Sequence, residues 1–466
     1  MVSKQEHFIE ERGPDWFRPV RPIPYRGGPG AISSIRAMRR SLISVFTEAD
    51  YRVGTRTARL LGRQTVVANA PGSIKYVMVT RNENFERKSP QMRRALEHLV
   101  GDGLFVSDGE TWQRRRPLVA DIVHRNRLPE FGPAMERAAH DLVSRWAART
   151  EDGPFDVLQE MAELTAEIIA CTVFGRPLGP TDARDVVLGF SNYQRLVDSV
   201  NIAYFLGVDD GWPVFRGFRL RRATRQIHRV INRVVDGHLN DVKSENSLLA
   251  LLARRQSKNP ELGLDIAALQ SEAATLFMAG HETTAATLAW CWYLLANAPW
   301  VEEAIIAEIR EVVGNRAPTI ADIPNLKWCR ATIEEALRLY PPVPILPRQA
   351  RAADSYENVN IEPAALVIVV PWLLHRSSDL WDRPHDFLPE RFLDAPRPEP
   401  YSYIPFATGP RVCPGQSFGL VEATLCLATI AQRFKVRIPD GHKVEPYCRL
   451  TLRPKNGLPV YIEQRV

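Results

Sequence analysis

Hydrophobic positions recur at helical spacing in three stretches of the chain, and these stretches predict long helices. The longest runs from Ile266 to Ala296. A second, Gln416 to Phe434, is rich in Ala, Leu and Glu, and Pro414 suits its first turn. A third, Ile32 to Phe46, sets apolar residues opposite three arginines. It predicts a first helix packed on the body of the protein, with a membrane-surface helix as the alternative.

Extended segments are indicated in two places. Residues 1–30 form a Pro-rich leading arm, which is predicted to be extended because its five prolines and neighbouring glycines disfavour a helix. Gly62 to Asn69 and Ala364 to Val370 have the composition of short strands. With the C-terminal region, we expect them to form one small sheet.

Composition is ordinary for a globular protein, with 45% hydrophobic and 24% charged residues. A length of 466 residues exceeds the ~250–300 at which single cores stop growing, so composition alone suggests two or more domains. The 60 Lys and Arg residues outnumber the 54 Asp and Glu residues, but no nucleic-acid motif accompanies the excess. The charge therefore favours an acidic protein partner over nucleic acid.

Six cysteines are spread along the chain without a CxxC pair or a short regular spacing, which argues against a disulfide framework or a zinc site. The chain opens with no secretory leader. It also contains no run of ~18 apolar residues, so no transmembrane anchor is predicted. The expected location is cytoplasmic.

One cysteine, Cys413, lies in a glycine-punctuated loop directly before the second predicted helix. Unpaired N–H groups and the positive end of the dipole at a helix start stabilise a thiolate, which makes Cys413 a candidate anionic metal ligand. Gly409 and Gly415 permit tight turns and close approach of a flat ligand to the main chain. The alternative is an ordinary core cysteine.

The loop resembles the cysteine-ligand loop of the cytochrome P450 family, whose pattern is met at Phe406, Gly409, Arg411, Cys413 and Gly415. Further segments match the family in order and separation, so the resemblance covers most of the chain and is nearest to soluble bacterial members. It implies a mainly α fold: a triangular helical prism with a small β region, forming a single domain over residues 1–466. Haem b would lie between the long central helix and the helix after the loop, with the Cys413 thiolate as the axial ligand of its iron.

A second matching segment contains Trp112 and Arg116, which are four residues apart and share one helix face. By itself such a charge run is typical of a solvated face. The resemblance implies that the pair holds a haem propionate, with Arg348 and Arg411 completing a cationic set for the two propionates. It also implies a docking face for a redox partner on the cysteine side of the haem, formed by Arg114, Arg115, Arg125 and Arg127.

The long central helix contains His281 and Glu282, which invite comparison with a zinc protease, but the second histidine required at position 285 is Ala285. Ala279 and Thr283 share one face, and the Thr283 hydroxyl can bond back to the Ala279 carbonyl. The resemblance implies that this is the oxygen-binding stretch, with Glu282 and Thr283 as its acid and alcohol. Polar groups that merely satisfy each other in a core helix are the alternative.

Two other segments have implied structural roles. Glu335, Arg338 and Arg391 resemble the family's Glu-Arg-Arg triad, which locks the fold behind the cysteine loop. Residues 187–240 alternate aromatic patches with dense arginine and resemble the mobile helix pair over the substrate entrance, although a helical hairpin without a special role remains open.

The implied activity is a monooxygenase that inserts one oxygen atom of O2 into a lipophilic small molecule, by hydroxylation or epoxidation. The apolar positions Leu104, Phe105, Ala279, Val343 and Ile345 are expected in the pocket.

Electrons are expected from a ferredoxin or flavodoxin with its NAD(P)H-dependent reductase, because the sequence ends soon after the helix following Cys413 and leaves no room for a flavin domain. Alternatives are a peroxygenase, a haem-thiolate isomerase and a non-catalytic haem sensor.

Overall fold

Helices form most of the structure, a computed structural model that describes residues 7–60, 62–149, 153–197, 218–239, 247–393 and 396–465. The α-helices described are α1 (Ala31–Arg40), α2 (Pro71–Lys75), α3 (Asn82–Phe85), α4 (Pro90–Val100), α5 (Gly109–Ile122), α6 (Leu128–Ala147), α7 (Val157–Phe174), α8 (Pro180–Leu196), α9 (Phe218–Leu239), α10 (Leu248–Lys258), α11 (Ile266–Ala296), α12 (Pro299–Val312), α13 (Lys327–Leu339), α14 (Pro371–Leu374) and α15 (Gln416–Arg433).

Strands are short by comparison. Those described are β1 (Phe8–Arg12), β2 (Phe17–Pro22), β3 (Gly54–Leu60), β4 (Arg63–Asn69), β5 (Phe155–Asp156), β6 (Leu346–Gln349), β7 (Asp354–Tyr356), β8 (Val359–Ile361), β9 (Leu366–Val369), β10 (Phe434–Arg437), β11 (Pro446–Cys448), β12 (Leu452–Pro454) and β13 (Pro459–Gln464).

The central helix α11 has the predicted bounds. Its start is fixed by Asp265, whose carboxylate accepts a hydrogen bond of 2.8 Å from the Ala268 N–H. The helix is apolar on all sides because it is buried on nearly all sides. Against α7 the approach is so close that a Cβ on Gly280 would lie 2.7 Å from Ile169 Cδ1. A glycine at this point therefore lets the two helices pack closely.

The other two predicted helices differ in how closely their predicted ends match the observed ones. α15 ends one residue early, since Phe434 already begins strand β10. The predicted helix from Ile32 to Phe46 stops at Arg40, because Ser41 adopts an extended conformation. The helix does pack on the body of the protein, where Met38 contacts the cluster around Leu366.

The two predicted strands are neighbours in a four-stranded sheet with the order β3-β4-β9-β6. Strands β4 and β9 pair in parallel, whereas β3 and β6 pair antiparallel to them at the edges. The expectation that the C-terminal region joins this sheet is wrong. In a separate three-stranded sheet, β13 is the central strand and pairs with β10 on one side and β5 on the other.

The N-terminal arm is extended, as predicted, and it is anchored. Strands β1 and β2 form an antiparallel hairpin. Phe17 is fully buried, and its carbonyl accepts a hydrogen bond of 2.9 Å from the Phe387 N–H. The Val20 N–H donates to the hydroxyl of Tyr293 in α11. The arm thus packs directly on the central helix.

The predicted entrance pair coincides in part with α8 and α9. Its aromatic residues Tyr204, Phe205, Trp212 and Phe215, together with Arg216, lie outside the described residues. None of the helices in the described ranges combines the length and the apolar composition needed to cross a bilayer.

Candidate active site

A cavity of about 270 Å³ lies between the middle of α11 and the loop that precedes α15. Most of the side chains predicted to form the site line it: Trp112, Arg116, Ala279, Thr283, Arg348, Phe406, Arg411 and Cys413. Glu282 and Gly409 are not among the lining residues. The structure therefore brings together residues that are up to about 300 positions apart in the sequence, a separation that only tertiary packing can close.

Backbone geometry fixes the loop that carries Cys413. The Cys413 N–H donates to the Phe406 carbonyl over 2.9 Å, which closes the loop on itself. Gly409 has a φ of +74°, and a Cβ there would lie 2.0 Å from the Met78 carbonyl oxygen. Gly409 is thus required by the close approach of another backbone segment and not by contact with the cavity.

The exposed surface of Cys413 faces the cavity inside the protein. Burial raises the pKa of its thiol, and the backbone N–H of Gly415 and the guanidinium of Arg116 oppose that shift. The expected stabilisation of the thiolate at the helix start is therefore present but is outweighed by desolvation in the protein alone.

Four cationic side chains converge on one side of the cavity: Lys88, Arg116, Arg348 and Arg411. Burial and the nearby Arg411 lower the pKa of Arg348 to about 10. Burial, with Arg348 and Arg411, lowers the pKa of Lys88 well below its ordinary value. These groups repel one another, so the protein alone leaves them poorly compensated.

Among the residues that the structure describes, few acids lie close enough to compensate these cations. Glu86 Oε2 lies 3.8 Å from Arg411 Nη2, beyond hydrogen-bond distance. Within the described part of the chain, the buried Nε and Nη2 of Arg411 have no hydrogen-bond partner, while Nη1 donates to the Ser107 carbonyl over 2.9 Å. Buried donors without partners are costly, so a ligand with carboxylates fits this side of the cavity.

Sequence reasoning missed Lys88. Its ammonium lies 3.4 Å from the centre of the Phe105 ring and donates to the Phe105 carbonyl. In the sequence it stands in an ordinary charged stretch before α4. Its position at the cavity follows from a β-bridge between its backbone and that of Arg348. The two residues are about 260 positions apart in the sequence, so no local pattern encodes this contact.

Two neighbouring arginines of α5 make different contacts, and one of them contradicts its predicted role. Arg116 donates to the Val412 carbonyl over 2.5 Å, which ties α5 to the cysteine loop. Arg411 lies with its guanidinium carbon 4.3 Å from the centre of the Trp112 ring. The prediction that Arg115 belongs to an exposed docking face is wrong, because Arg115 is buried in an ion pair of 3.2 Å with Glu272.

On the central helix, the Thr283 hydroxyl donates to the Ala279 carbonyl over 2.7 Å, as predicted. Because its hydrogen is used within the helix, the oxygen presents its lone pairs to other partners. Thr283 and Ala279 both line the cavity. The helix therefore offers a hydroxyl group facing Cys413 across the cavity.

Glu282 does not reach the cavity. Its Oε1 accepts hydrogen bonds of 2.6 Å from Gln194 and 2.8 Å from Thr451, and it lies 3.7 Å from Nη1 of Arg453. The side chain thus connects α11 to α8 and to the segment around β12. The predicted proton route through Glu282 stays a prediction, and the observed contacts are those of a buried anchor.

A second carboxyl group that the sequence did not reveal does line the cavity. Glu422, in α15, accepts a hydrogen bond of 3.0 Å from the Thr284 hydroxyl. Burial raises its pKa to about 8, while Thr284 opposes the shift. Glu422 is therefore mostly protonated at neutral pH, and it adds little negative charge to the cavity.

The remaining walls are largely apolar. Leu104, Phe105 and Val343 line the cavity as predicted, and Ile345 does not. Further apolar lining residues come from α7, α10 and α11: Ile169, Leu248 and Leu276. An apolar chamber with a few fixed polar groups is typical of a small-molecule site.

Behind the cysteine loop, the predicted triad is assembled. Both carboxylate oxygens of Glu335 accept from Arg338, at 2.6 and 2.8 Å, and Oε1 also lies 3.3 Å from Arg391 Nε. Arg338 in turn donates to the His375 carbonyl, and the His375 ring accepts from the Ile404 N–H over 2.9 Å. This chain of contacts connects the triad to the segment that enters the cysteine loop.

The family model for cytochrome P450 matches residues 36–459. The chain belongs to the cytochrome P450 family. It shares the fold of solved members: the haem domain of cytochrome P450DA aligns with a TM-score of 0.75 at 22% identity, covering 89% of this chain and 90% of that one.

Two curated relatives show how far this cytochrome P450 resembles characterised members. Cyclooctatin synthase of Streptomyces melanosporofaciens is 32% identical over 76% of this chain and 77% of its own length. A cytokinin hydroxylase of Arabidopsis thaliana is 28% identical over 83% of this chain and 76% of its own. As a member of the family, the protein is a monooxygenase that uses haem iron with cysteine thiolate ligation, O2 and a redox partner.

Proposed function

We propose that Cys413 is the axial thiolate ligand of haem b and that the converging cations hold the two propionates. The observation that carries this proposal is the cavity itself, where Cys413 shares an apolar chamber with buried, poorly compensated cations. The proposed propionate ligands are Trp112, Arg116, Arg348 and Arg411, and we add Lys88. Phe406 and Ala279 would contact the macrocycle, and Gly409 would support the loop from outside the cavity.

Bound haem with a thiolate ligand supplies the activation of O2, so that one oxygen atom enters the substrate and the other leaves as water. The protein contributes position and protons. Thr283 Oγ1, whose hydrogen is donated to the Ala279 carbonyl, can accept a hydrogen bond from a water molecule and so hold that water as a proton donor inside the cavity. The apolar walls exclude bulk water, which strengthens these polar contacts.

The proposed substrate is a lipophilic small molecule, hydroxylated or epoxidised next to Ala279 and Thr283. Support comes from the apolar walls formed by Leu104, Phe105 and Val343. The names of the two relatives described above specify different molecules, cyclooctatin and cytokinin, so relatedness alone does not choose the substrate.

The proposed electron donor is a ferredoxin or flavodoxin with its NAD(P)H-dependent reductase. Arg114 is about half exposed on α5, and Arg125 is exposed just beyond the end of that helix. The bond between Arg116 and Val412 places this part of the chain beside the cysteine loop. A basic face at this point suits an acidic protein.

We also propose that residues 1–466 form one domain. The hairpin of the N-terminal arm packs on Tyr293 of α11, and strand β5 near the middle of the chain pairs with β13 near its end.

The experiment that tests the haem assignment is the absorbance of the reduced protein with CO. The wild type should give the red-shifted Soret band of thiolate-ligated haem, and Cys413→Ser should lose it. Cys171→Ser is the matched control, because Cys171 is a half-buried cysteine in α7 and does not line the cavity. A red-shifted band in Cys413→Ser would refute the ligand assignment.

A further inference from the structure

The segment Gly101–Ser107, here called the wall loop, closes one side of the cavity. It joins α4 to α5 and carries Leu104 and Phe105 into the cavity lining. Leu104 packs with Trp112 and Leu276, so the loop contacts both α5 and α11. The position of its backbone therefore sets the position of two substrate-facing side chains.

One buried carboxyl group, that of Glu272, holds the first part of this backbone. Glu272 is fully buried in α11, two turns before Ala279. Its Oε2 accepts a hydrogen bond of 3.1 Å from the Leu104 N–H. Its Oε1 accepts from Arg115 Nη1, which also donates to the Asp102 carbonyl over 2.6 Å. Directly and through Arg115, Glu272 binds both ends of the Asp102–Leu104 segment.

The loop lies very close to the helix beneath it. A Cβ on Gly103 would lie 1.9 Å from Thr275 Oγ1 and 2.7 Å from the Ser271 carbonyl oxygen. Only glycine fits at this distance without displacement of the loop. Glu272 thus holds a loop that is already in contact with the central helix.

Farther along, the wall loop is held by two of the cavity cations. The Phe105 carbonyl accepts from the Lys88 ammonium, and the Ser107 carbonyl accepts from Arg411 Nη1 over 2.9 Å. Burial raises the pKa of Glu272, while the Leu104 N–H and Arg115 oppose the shift. Each of these hydrogen bonds is buried or partly buried and involves an ionisable side chain, so loss of one partner is costly.

We propose that Glu272 is a positioning residue that determines substrate selectivity by fixing the wall loop. It does not line the cavity, so it acts through Leu104 and Phe105 and not by touching the substrate. This inference rests on the proposed function of the cavity as the substrate chamber above haem.

The test compares wild type and Glu272→Gln in the haem-loaded protein, with a series of N-alkylimidazoles from butyl to dodecyl as probes and imidazole as the shortest member. Affinities are read from the shift of the haem absorbance. In Glu272→Gln we expect the ratio of long-chain to short-chain affinity to change by about tenfold, the scale of a lost methylene contact in an apolar pocket. Imidazole, which is too small to reach the wall, should bind within about twofold of wild type.

Amide hydrogen exchange provides a readout that is independent of haem. The Leu104 amide should lose protection in Glu272→Gln while the amides of α11 keep theirs, because only the loop anchor is removed. An exchange pattern unchanged at Leu104 would overturn the proposal.

Two further variants keep the test decisive. Gly103→Ala displaces the wall loop from α11 while Glu272 stays intact, and it should also change the chain-length preference. This variant is used if Glu272→Gln does not fold. Glu308→Gln is the matched control, since Glu308 is also a buried carboxylate that accepts backbone N–H bonds, from Trp328 and Cys329, away from the cavity. It should leave the preference unchanged.

Outcomes separate this inference from the proposed function. If imidazole produces no shift in wild type, the haem site itself is wrong. If imidazole binds but the chain-length preference is the same in wild type, Glu272→Gln and Gly103→Ala, the haem site stands and the role of Glu272 is refuted.

Discussion

Glu282 and Thr283 are adjacent in the sequence, but their side chains serve different sides of α11. Thr283 lines the cavity, whereas the Glu282 carboxylate is bound by Gln194 and Thr451 in the protein interior. Successive helical residues are about 100° apart, so one residue step is enough to separate a cavity group from a core group. The acid and alcohol of the predicted pair therefore have separate tests.

Thr283→Ala should uncouple electron consumption from product formation. Without the hydroxyl oxygen as a hydrogen-bond acceptor, a water molecule next to Ala279 is no longer held in a fixed orientation. We expect product per electron pair to fall by about tenfold or more, with a matching rise in hydrogen peroxide. Product and peroxide are measured together against the reduced nicotinamide consumed through the redox partners.

Thr284→Ala is the control for that experiment. The Thr284 hydroxyl bonds to Glu422 instead of the Ala279 carbonyl. Its loss should lower the unfolding midpoint but leave coupling near the wild-type value. Equal uncoupling in the two variants would contradict the role proposed for Thr283.

Glu282→Gln should mainly reduce stability. Removing the charge leaves the buried Arg453 without its nearby carboxylate, and we expect the free energy of unfolding to fall by about 2–4 kcal/mol. Product per electron pair should stay within about twofold of wild type. Urea unfolding and the coupling assay measure the two effects. Strong loss of product with unchanged stability would instead support the sequence-based proton route.

Local patterns were sufficient to predict features that depend on neighbouring residues. Helical periodicity predicts α11 with its observed bounds, because that helix is apolar over its whole length and Asp265 caps its start. The motif resemblance likewise indicated Cys413, since its loop is defined by residues within ten positions. Both predictions rest on short-range information.

Long-range contacts explain what the sequence did not show. Arg115 and Arg116 are indistinguishable by composition, yet one is buried against Glu272 and the other contacts Val412. Lys88 reaches the cavity through pairing with Arg348, and Glu422 through the packing of α15 on α11. Each of these contacts joins segments that become neighbours only in the folded chain.

Glu422→Gln should change how stability depends on pH. Burial raises the pKa of Glu422 from 4.5 to about 8, so the native state holds a proton that the unfolded chain releases. The contribution of this carboxyl group to the free energy of unfolding is thus fully present below pH ~4.5. It falls by at most about 1.4 kcal/mol per pH unit as pH rises to ~8, and it is constant above that pH. Glutamine does not titrate, so the variant lacks this decrease.

The measurement for Glu422 is urea unfolding of wild type and Glu422→Gln between pH 5 and pH 9. The difference in free energy of unfolding, wild type minus variant, should decrease with pH up to ~8 and then level off. Other titrating groups cancel in this difference. A difference that is independent of pH would show that Glu422 is ionised in the native protein.

Charge reversal at Arg114 and Arg125 should weaken binding of an acidic electron donor. Arg115 is excluded from this test because it is buried. We expect Arg114→Glu with Arg125→Glu to reduce donor affinity by about tenfold at low salt. The effect should shrink as ionic strength rises, since exposed charges are screened beyond ~10 Å at 0.1 M.

The control is Arg36→Glu with Arg39→Glu, two exposed arginines of α1. Titration of the donor into each variant at two salt concentrations gives the affinities, and the spectrum of each confirms that haem is bound. Equal weakening in both double variants would mean that net charge, and not a docking face beside the cysteine loop, governs the encounter.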